Sequence, residues 1–79
     1  MRPRLTPWYA FGVGWQRTLR KPYLDADVQP APEGCWVYRL TRCDGTSVEL
    51  GVRPSRLEAM AAATSRMLDE HTRTKQAVP

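Results

Sequence analysis

Two stretches of the chain alternate between apolar and polar residues, as strands with one buried face do. In the first stretch, which begins at Trp8, the alternate positions are occupied by Tyr9, Phe11, Val13 and Trp15. We interpret 8–19 as one strand with these four side chains in the core. Trp8 has the opposite parity, so we expect its side chain on the outward face of the sheet.

The second stretch predicts a β-hairpin over 35–53 with its turn near Gly45. A two-residue turn at Asp44 and Gly45 would split the apolar residues between the two faces, whereas a three-residue loop over 43–45 keeps them together. The longer loop also places Gly45 at the left-handed position that such loops require. The predicted cross-strand pairs are Leu40 with Val48, Tyr38 with Leu50, Trp36 with Val52, Arg39 with Glu49, and Thr41 with Ser47.

A helix is predicted over 55–73. Ser55 is a suitable N-cap, and Glu58, three positions later, completes a capping box. Apolar residues then recur with the three- and four-residue spacing of one helix face. The predicted buried face consists of Leu57, Met60, Ala61, Thr64, Met67, Leu68 and His71.

The remaining segments have no regular pattern. We interpret 1–7 as an arm, because its prolines interrupt helices and central strands. We interpret 20–34, with three prolines, as a long loop, and 74–79 as a tail. The sequence thus predicts an α+β fold of order β-β-β-α, a three-stranded antiparallel sheet with the C-terminal helix packed on one face. The other face is then open to solvent or to a partner.

Length and cysteine placement narrow the class of protein. A chain of 79 residues forms one small domain, 1–79, and contains no apolar run near the ~20 residues that span a bilayer. We therefore expect no membrane association. Cys35 and Cys43 would lie about 26 Å apart on one strand, too far for a disulfide. Two thiols without a disulfide predict a reducing, cytoplasmic location.

No constellation of residues predicts catalysis. The single histidine, His71, lies near the end of the predicted helix, without an evident nucleophile or orienting group. The two cysteines lack the spacing of metal ligands, and Asp25 and Asp27 have no further ligand nearby in the sequence. We expect no enzymatic activity, no metal and no cofactor.

Positive charge is concentrated at the front of the chain. The net charge is +4, yet residues 1–24 alone carry +5 and no acid, and they contain five of the seven aromatic residues. Cations interleaved with aromatic rings suit contacts to phosphates and stacked bases. This composition also fits an ordinary core in an arginine-rich protein, but the asymmetry favours binding to an acidic partner, and Trp8 is the foremost contact candidate.

The uncovered sheet face provides a second hypothesis. On the predicted pattern it presents Trp8, Val37, Arg39 and Arg53, and tryptophan and arginine are frequent at the energetic centres of protein interfaces. A protein partner is therefore the alternative to nucleic acid. An edge strand over 8–16 would also permit a homodimer through the first strand.

The segment SRLEAMAAATSRML, from Ser55 to Leu68, resembles the last helix of the double-stranded RNA-binding domain, where Ser-Lys-Lys-x-Ala-Lys-x-x-Ala-Ala is typical. The β-β-β-α order is also similar to the end of that fold. The resemblance implies a phosphate contact from Arg56, although Leu57 and Met60 stand where the family has its other two lysines. In size and layout the chain also resembles small accessory proteins of phages, including anti-CRISPR proteins.

The sequence therefore predicts a small non-enzymatic binding module. Its basic, aromatic N-terminal segment would dock on an acidic partner, nucleic acid or a nucleoprotein complex. The alternative is a phage or mobile-element inhibitor that binds a host protein through the open sheet face. The predicted binding residues are Arg2, Arg4, Trp8, Arg17, Arg20, Lys21, Arg39, Arg53 and Arg56.

Overall fold

The computed structural model describes residues 4–20 and 23–77, which form one antiparallel sheet and one helix. The strands are β1 (Tyr9–Phe11), β2 (Gly14–Arg20), β3 (Tyr23–Pro30), β4 (Trp36–Arg42) and β5 (Ser47–Arg53), and the helix is α1 (Arg56–Ala77). The strands lie in the sheet in the order of the chain. The α+β class is confirmed, but the prediction of a three-stranded sheet is wrong because the sheet has five strands.

The first correction concerns 8–19, which forms a hairpin and not a single strand. β1 and β2 are joined by the two residues Gly12 and Val13, and Phe11 pairs with Gly14. Gly12 has φ +60°, as the first position of a type II′ hairpin turn requires. Across such a turn Trp15 shares a face with Ala10, which puts Trp15 on the opposite face from Phe11.

The second correction concerns 20–34, which was predicted as a loop. β3 occupies most of it and is the central strand, paired with β2 and β4. Leu24, Ala26 and Val28 are fully buried on one face of β3, while the residues between them are polar. Only a short 3-10 turn, Pro32–Gly34, separates β3 from β4.

The third correction concerns the register of the 35–53 hairpin. The three-residue loop is confirmed, since the N–H of Gly45 donates to the carbonyl of Arg42 and Gly45 has φ +89°. Thr41 also pairs with Ser47 as predicted, but a β-bulge then shifts the register by one residue. The other predicted pairs are wrong, and the observed ones are Leu40 with Glu49, Arg39 with Leu50, Tyr38 with Gly51, Val37 with Val52, and Trp36 with Arg53.

Two contacts explain the shifted register. A Cβ on Gly51 would overlap the Tyr38 ring, so only glycine can lie opposite this tyrosine. The shift also turns Glu49 toward α1, where its carboxylate accepts hydrogen bonds from the Tyr38 hydroxyl at 2.8 Å and from Arg66 Nε at 2.9 Å. Arg66 Nη2 also forms an ion pair with Glu70 Oε1 at 2.8 Å, so these contacts join the helix to the edge strand.

The helix begins as predicted and packs on a different face. The N–H of Glu58 donates to Ser55 Oγ at 3.2 Å, which confirms the N-cap. The helix faces the sheet through Ala59, Ala63 and Met67, whereas Leu57, predicted to be buried, is exposed. Small alanines let α1 lie close to β3 and β4. The helix also continues to Ala77, through much of the predicted tail.

A single core lies between α1 and the sheet. Its buried members are Leu19, Leu24, Ala26, Val28, Tyr38, Leu40, Ala59, Ala63 and Met67. The arm also contributes, since Leu5 forms a bridge to Leu19 and packs against this core. Within the described ranges 4–20 and 23–77, no helix has the length and apolarity needed to span a membrane.

Candidate binding face

We call the side of the sheet away from α1 the open face. Strand alternation and register assign to it Tyr9, Phe11, Gln16, Thr18, Arg20, Tyr23, Asp25, Asp27, Gln29, Val37, Arg39, Thr41, Leu50 and Val52. From β1 to β5 it changes from aromatic, through polar and charged, to aliphatic.

Exposed aromatic rings lie on β1 and at the start of β3 on the open face. Tyr9, Phe11 and Tyr23 are 43%, 57% and 44% exposed. Tyr9 and Tyr23 line a shallow pocket of about 370 Å³ together with Thr6, Thr18 and Arg20. We call this the tyrosine pocket. Large aromatic surfaces left in water are unfavourable for a folded chain, so their grouping on one face indicates a contact surface.

Two arginines lie at the end of the open face beside Tyr23. Arg20 pairs with Tyr23 across β2 and β3, and its backbone N–H donates to the carbonyl of Arg4 at 3.2 Å. Leu5 faces the core, so alternation along the arm directs Arg4 to the open side. Both side chains are exposed. The fold therefore brings these two predicted binding residues, sixteen positions apart in sequence, to one place.

Carboxylates occupy the middle of the open face. Asp25 accepts hydrogen bonds from the Thr18 hydroxyl at 2.9 Å and from the Tyr23 hydroxyl at 3.4 Å. Asp27 lies opposite Arg39 on β4. Partial burial raises the pKa of Asp27, and Asp25 raises it further, while Arg39 opposes them. Folding therefore disfavours the ionised form of Asp27.

Aliphatic side chains occupy the β5 side of the open face. Leu50 and Val52 are 66% and 54% exposed, and Val37 pairs with Val52 across the strands. A second shallow cavity, of about 280 Å³, lies beside them and is lined by Asp27, Gln29, Pro30, Ala31, Pro32, Val37 and Arg39. β5 is an edge strand, so this apolar group borders unpaired backbone.

Trp8 does not lie on the open face, contrary to the prediction. It is half-buried and packs against the core, with the guanidinium carbon of Arg17 5.0 Å from its ring centroid. Arg17 also donates to the Thr6 carbonyl and to the Thr64 hydroxyl, each at 2.9 Å. Burial lowers the pKa of Arg17. These two predicted contact residues are thus engaged in holding the arm and β2 to α1.

Arg53 also lies on the helix side, where prediction placed it outward. Its guanidinium stacks on Tyr38 at 5.3 Å, and Arg56 stacks on Trp15 at 5.2 Å, also on the helix side. Arg39 and Val37 face outward as predicted. Arg2 and Lys21 lie outside the described residues. The predicted set therefore divides between two sides of the sheet, with Arg4, Arg20 and Arg39 on the open one.

Sequence reasoning missed the three exposed aromatics as contact residues. Tyr9 and Phe11 were assigned to the core because the turn at Gly12 was interpreted as strand, and Tyr23 was assigned to a loop. The sequence signal for this hairpin was Gly12 followed by Val13, with aromatic residues on either side. Glycine at the first of two turn positions is typical of a type II′ hairpin.

Among the described residues, no group of three or more His, Cys, Asp or Glu side chains is placed to hold a metal ion. Cys35 and Cys43 flank the two ends of β4 as free cysteines. Comparison with protein-family models, with curated proteins and with solved structures found no match. The similarities noted in the sequence therefore stay predictions.

Proposed function

We propose that this protein is a non-enzymatic binding module whose open face binds single-stranded nucleic acid, alone or within a nucleoprotein complex. The observation that carries the proposal is the presence of three exposed rings, Tyr9, Phe11 and Tyr23, on the same face as exposed arginines. Bases stack on such rings, and arginines contact the phosphates between them.

The geometry favours a strand laid across the sheet. Neighbouring strands lie about 4.8 Å apart, so Tyr9 and Tyr23 are offset by about 10 Å across the sheet. Tyr9 pairs with Gln16 and Tyr23 with Arg20, four positions further along β2, which adds about 13 Å along the strands, and an extended strand of a few nucleotides spans both offsets. Tyr9 and Phe11 lie on β1, and Tyr23 begins β3. Stacking is tolerant of sequence because every base has a π-face. We therefore expect modest sequence preference.

The central acids argue against a duplex. A duplex presents closely spaced phosphates to any flat surface, and Asp25 and Asp27 would meet them in the middle of the open face. A single strand can direct its phosphates to Arg4, Arg20 and Arg39 while its base edges lie over the carboxylates, which accept hydrogen bonds from exocyclic amino groups. Single-strand selectivity follows from this arrangement.

The test is binding of labelled oligonucleotides of about 12 nucleotides, followed by fluorescence anisotropy at 50 and 200 mM salt. Three arginine contacts predict a log–log salt slope near −2, from about 0.7 per phosphate contact for single strands. The double variant Arg20→Glu, Arg39→Glu should abolish most binding. The matched control is Arg56→Glu, the same charge change on the helix side, which should leave affinity within about twofold.

Two results would contradict the proposal. If the wild-type protein binds no single strand at 50 mM salt, the proposed function is wrong. If Arg56→Glu weakens binding as much as the double variant does, the open face is not the contact surface, and the phosphate contact implied by the resemblance to the double-stranded RNA-binding domain gains support.

The aliphatic side supports a second candidate function. The exposed Leu50 and Val52 and the half-buried Val37 form an apolar group at an edge strand and next to Arg39, a composition suited to a protein partner. This is the basis for an inhibitor of a host protein. Leu50→Lys should abolish capture of such a partner from a nuclease-treated lysate and leave oligonucleotide binding intact. Loss of both would indicate one shared surface.

A further inference from the structure

We infer that the tyrosine pocket holds one nucleobase of the bound strand, stacked against Tyr9 and Tyr23, with Arg20 on the adjoining phosphate. The inference rests on the proposed function and adds to it a defined site with a defined ligand. Its basis is the convergence of two exposed aromatic rings, a polar floor and a cation around one cavity.

The size and lining of the pocket fit a base with its sugar. Its volume of about 370 Å³ is at the small end of ligand pockets. The rings of Tyr9 and Tyr23 supply apolar surfaces, and the hydroxyls of Thr6 and Thr18 supply polar groups among the lining residues. A flat, aromatic and polar-edged ligand matches this combination better than an aliphatic side chain does.

The two tyrosine rings are held in place before any ligand binds. The Tyr9 hydroxyl donates to Gln16 Oε1 at 3.1 Å, and the Tyr23 hydroxyl donates to Asp25 at 3.4 Å. Asp25 also accepts from the Thr18 hydroxyl at 2.9 Å, so it acts as a positioning residue for the floor and for one ring. Fixing the rings in advance lowers the entropy cost of binding.

The charges around the pocket select an anionic ligand over a cationic one. Two tyrosines beside a carboxylate are also typical of cages for quaternary ammonium groups. In this pocket, however, Arg20 is part of the lining, and Arg4 lies on the neighbouring segment, where its carbonyl accepts the hydrogen bond of the Arg20 N–H. A cation entering between the rings would be repelled by Arg20, whereas a phosphate following the base would be attracted.

The Tyr23 hydroxyl stays neutral at physiological pH. The charge of Asp25 and the hydrogen bond to it raise the pKa of Tyr23 above its ordinary value near 10. A neutral ring neither repels a phosphate nor loses its hydroxyl donor. This supports stacking of a nucleotide on Tyr23 at physiological pH.

The experiment compares two strands with identical phosphates. One is a labelled oligonucleotide of about six nucleotides, and the other is the same backbone without bases. Each is titrated against the wild type and against the double variant Tyr9→Ala, Tyr23→Ala at 50 mM salt. We expect the double variant to bind the base-bearing strand at least tenfold more weakly than the wild type does, because replacing an aromatic side chain by alanine removes the stacking of a base. We expect both proteins to bind the abasic strand equally well.

Conservative variants control for folding and for the ring itself. Tyr9→Phe and Tyr23→Phe keep the stacking surface and lose only the hydroxyl bonds, so each should stay within about threefold of wild-type affinity. Thermal unfolding of all variants should be close to that of the wild type, because both side chains are more than 40% exposed.

The outcomes separate the inference from the proposed function. If the alanine variant binds the base-bearing strand as tightly as the wild type while Arg20→Glu, Arg39→Glu does not, the open face binds nucleic acid, and no base occupies the tyrosine pocket. Equal weakening on both strands also overturns the inference, because the loss is then not one of stacking. If the wild type binds neither strand, the proposed function fails and the inference fails with it.

Discussion

Arg17 and Arg20 lie three positions apart on β2 and point to opposite faces of the sheet. Arg17 stacks on Trp8 and bonds to the arm and to the helix through Thr6 and Thr64. Arg20 is exposed beside Tyr23 and makes no side-chain hydrogen bond or ion pair within the described part of the chain. Arginine thus stabilises the fold on one face and is a candidate contact residue on the other.

The difference between the faces comes from the helix. On the helix side, each of three arginines lies over an aromatic ring, in the pairs Arg17 with Trp8, Arg53 with Tyr38, and Arg56 with Trp15. On the open face, the arginines and rings that the structure describes are not stacked on each other. Arginines and aromatic rings that lie together therefore indicate a binding surface only where they are not already in contact with each other inside the fold.

The largest expected effect distinguishes two leucines, one on each face. Leu40 is fully buried under α1, and Leu50 is 66% exposed. Leu40→Ala should lower the free energy of unfolding by about 2–5 kcal/mol, because it leaves a cavity in a small core. Leu50→Ala should change it by less than about 0.5 kcal/mol. Chemical denaturation with a two-state fit measures both, and similar losses would show that α1 does not cover the face that we describe.

The strand arrangement was only partly predictable from the sequence. Residues 23–30 do alternate, with Leu24, Ala26 and Val28 between polar residues. The three prolines of 20–34 favour a loop, however, so this pattern was not predicted as a strand. Tertiary pairing on both sides of β3 outweighs these propensities. Propensity weighs least for a central strand, where burial of Leu24, Ala26 and Val28 dominates.

The register of the second hairpin was not predictable from its own residues. Asp44 and Gly45 indicated the turn, and the predicted three-residue loop is confirmed. The β-bulge depends on Arg66 and Glu70, which lie on the helix and attract Glu49 to that side. A partner so distant in sequence cannot be inferred from the alternation of two strands, so only the pair nearest the turn was predicted correctly.

The candidate site was also predicted only in part. The basic N-terminal segment was visible as charge, and Arg4, Arg20 and Arg39 lie on the open face. The aromatic partners were assigned the wrong way round, because one missed turn at Gly12 inverts the parity of β1 relative to β2. A single turn residue therefore exchanged the expected positions of Trp8 and Tyr9.

The second effect in size compares Arg17 with Arg20 directly. Arg17→Ala should lower the free energy of unfolding by about 1–2 kcal/mol, since it removes a cation–π contact and leaves Thr64 without its partner. Its effect on oligonucleotide affinity should be within about twofold. Arg20→Ala should do the reverse, with unchanged stability and severalfold weaker binding.

Thermal unfolding and anisotropy titrations on the two proteins give the four values needed. The contrast is contradicted if Arg17→Ala weakens binding more than Arg20→Ala does at equal stability. In that case the helix-side arginines would form part of the contact surface, as the sequence first predicted for Arg17.

The smallest effect is a pH dependence that belongs to the open face alone. Burial raises the pKa of Asp27, so the folded state binds this proton more tightly than the unfolded state does. Asp27 therefore disfavours folding above its raised pKa, and the penalty fades as the pH falls toward the unfolded value near 4. Asp27→Asn should raise stability at pH 7 by at most about 0.5 kcal/mol, and the gain should shrink in acid.

The control for this prediction is Asp69→Asn, which removes one negative charge from an exposed position on α1. Melting temperatures of the three proteins between pH 4 and pH 8 should show the pH-dependent gain for Asp27→Asn. Because the substitution also removes a charge from the middle of the open face, it should strengthen oligonucleotide binding slightly at pH 7. If Asp27→Asn is less stable than the wild type at pH 7, attraction to Arg39 outweighs the cost of burial, and the centre of the open face is held by an ion pair.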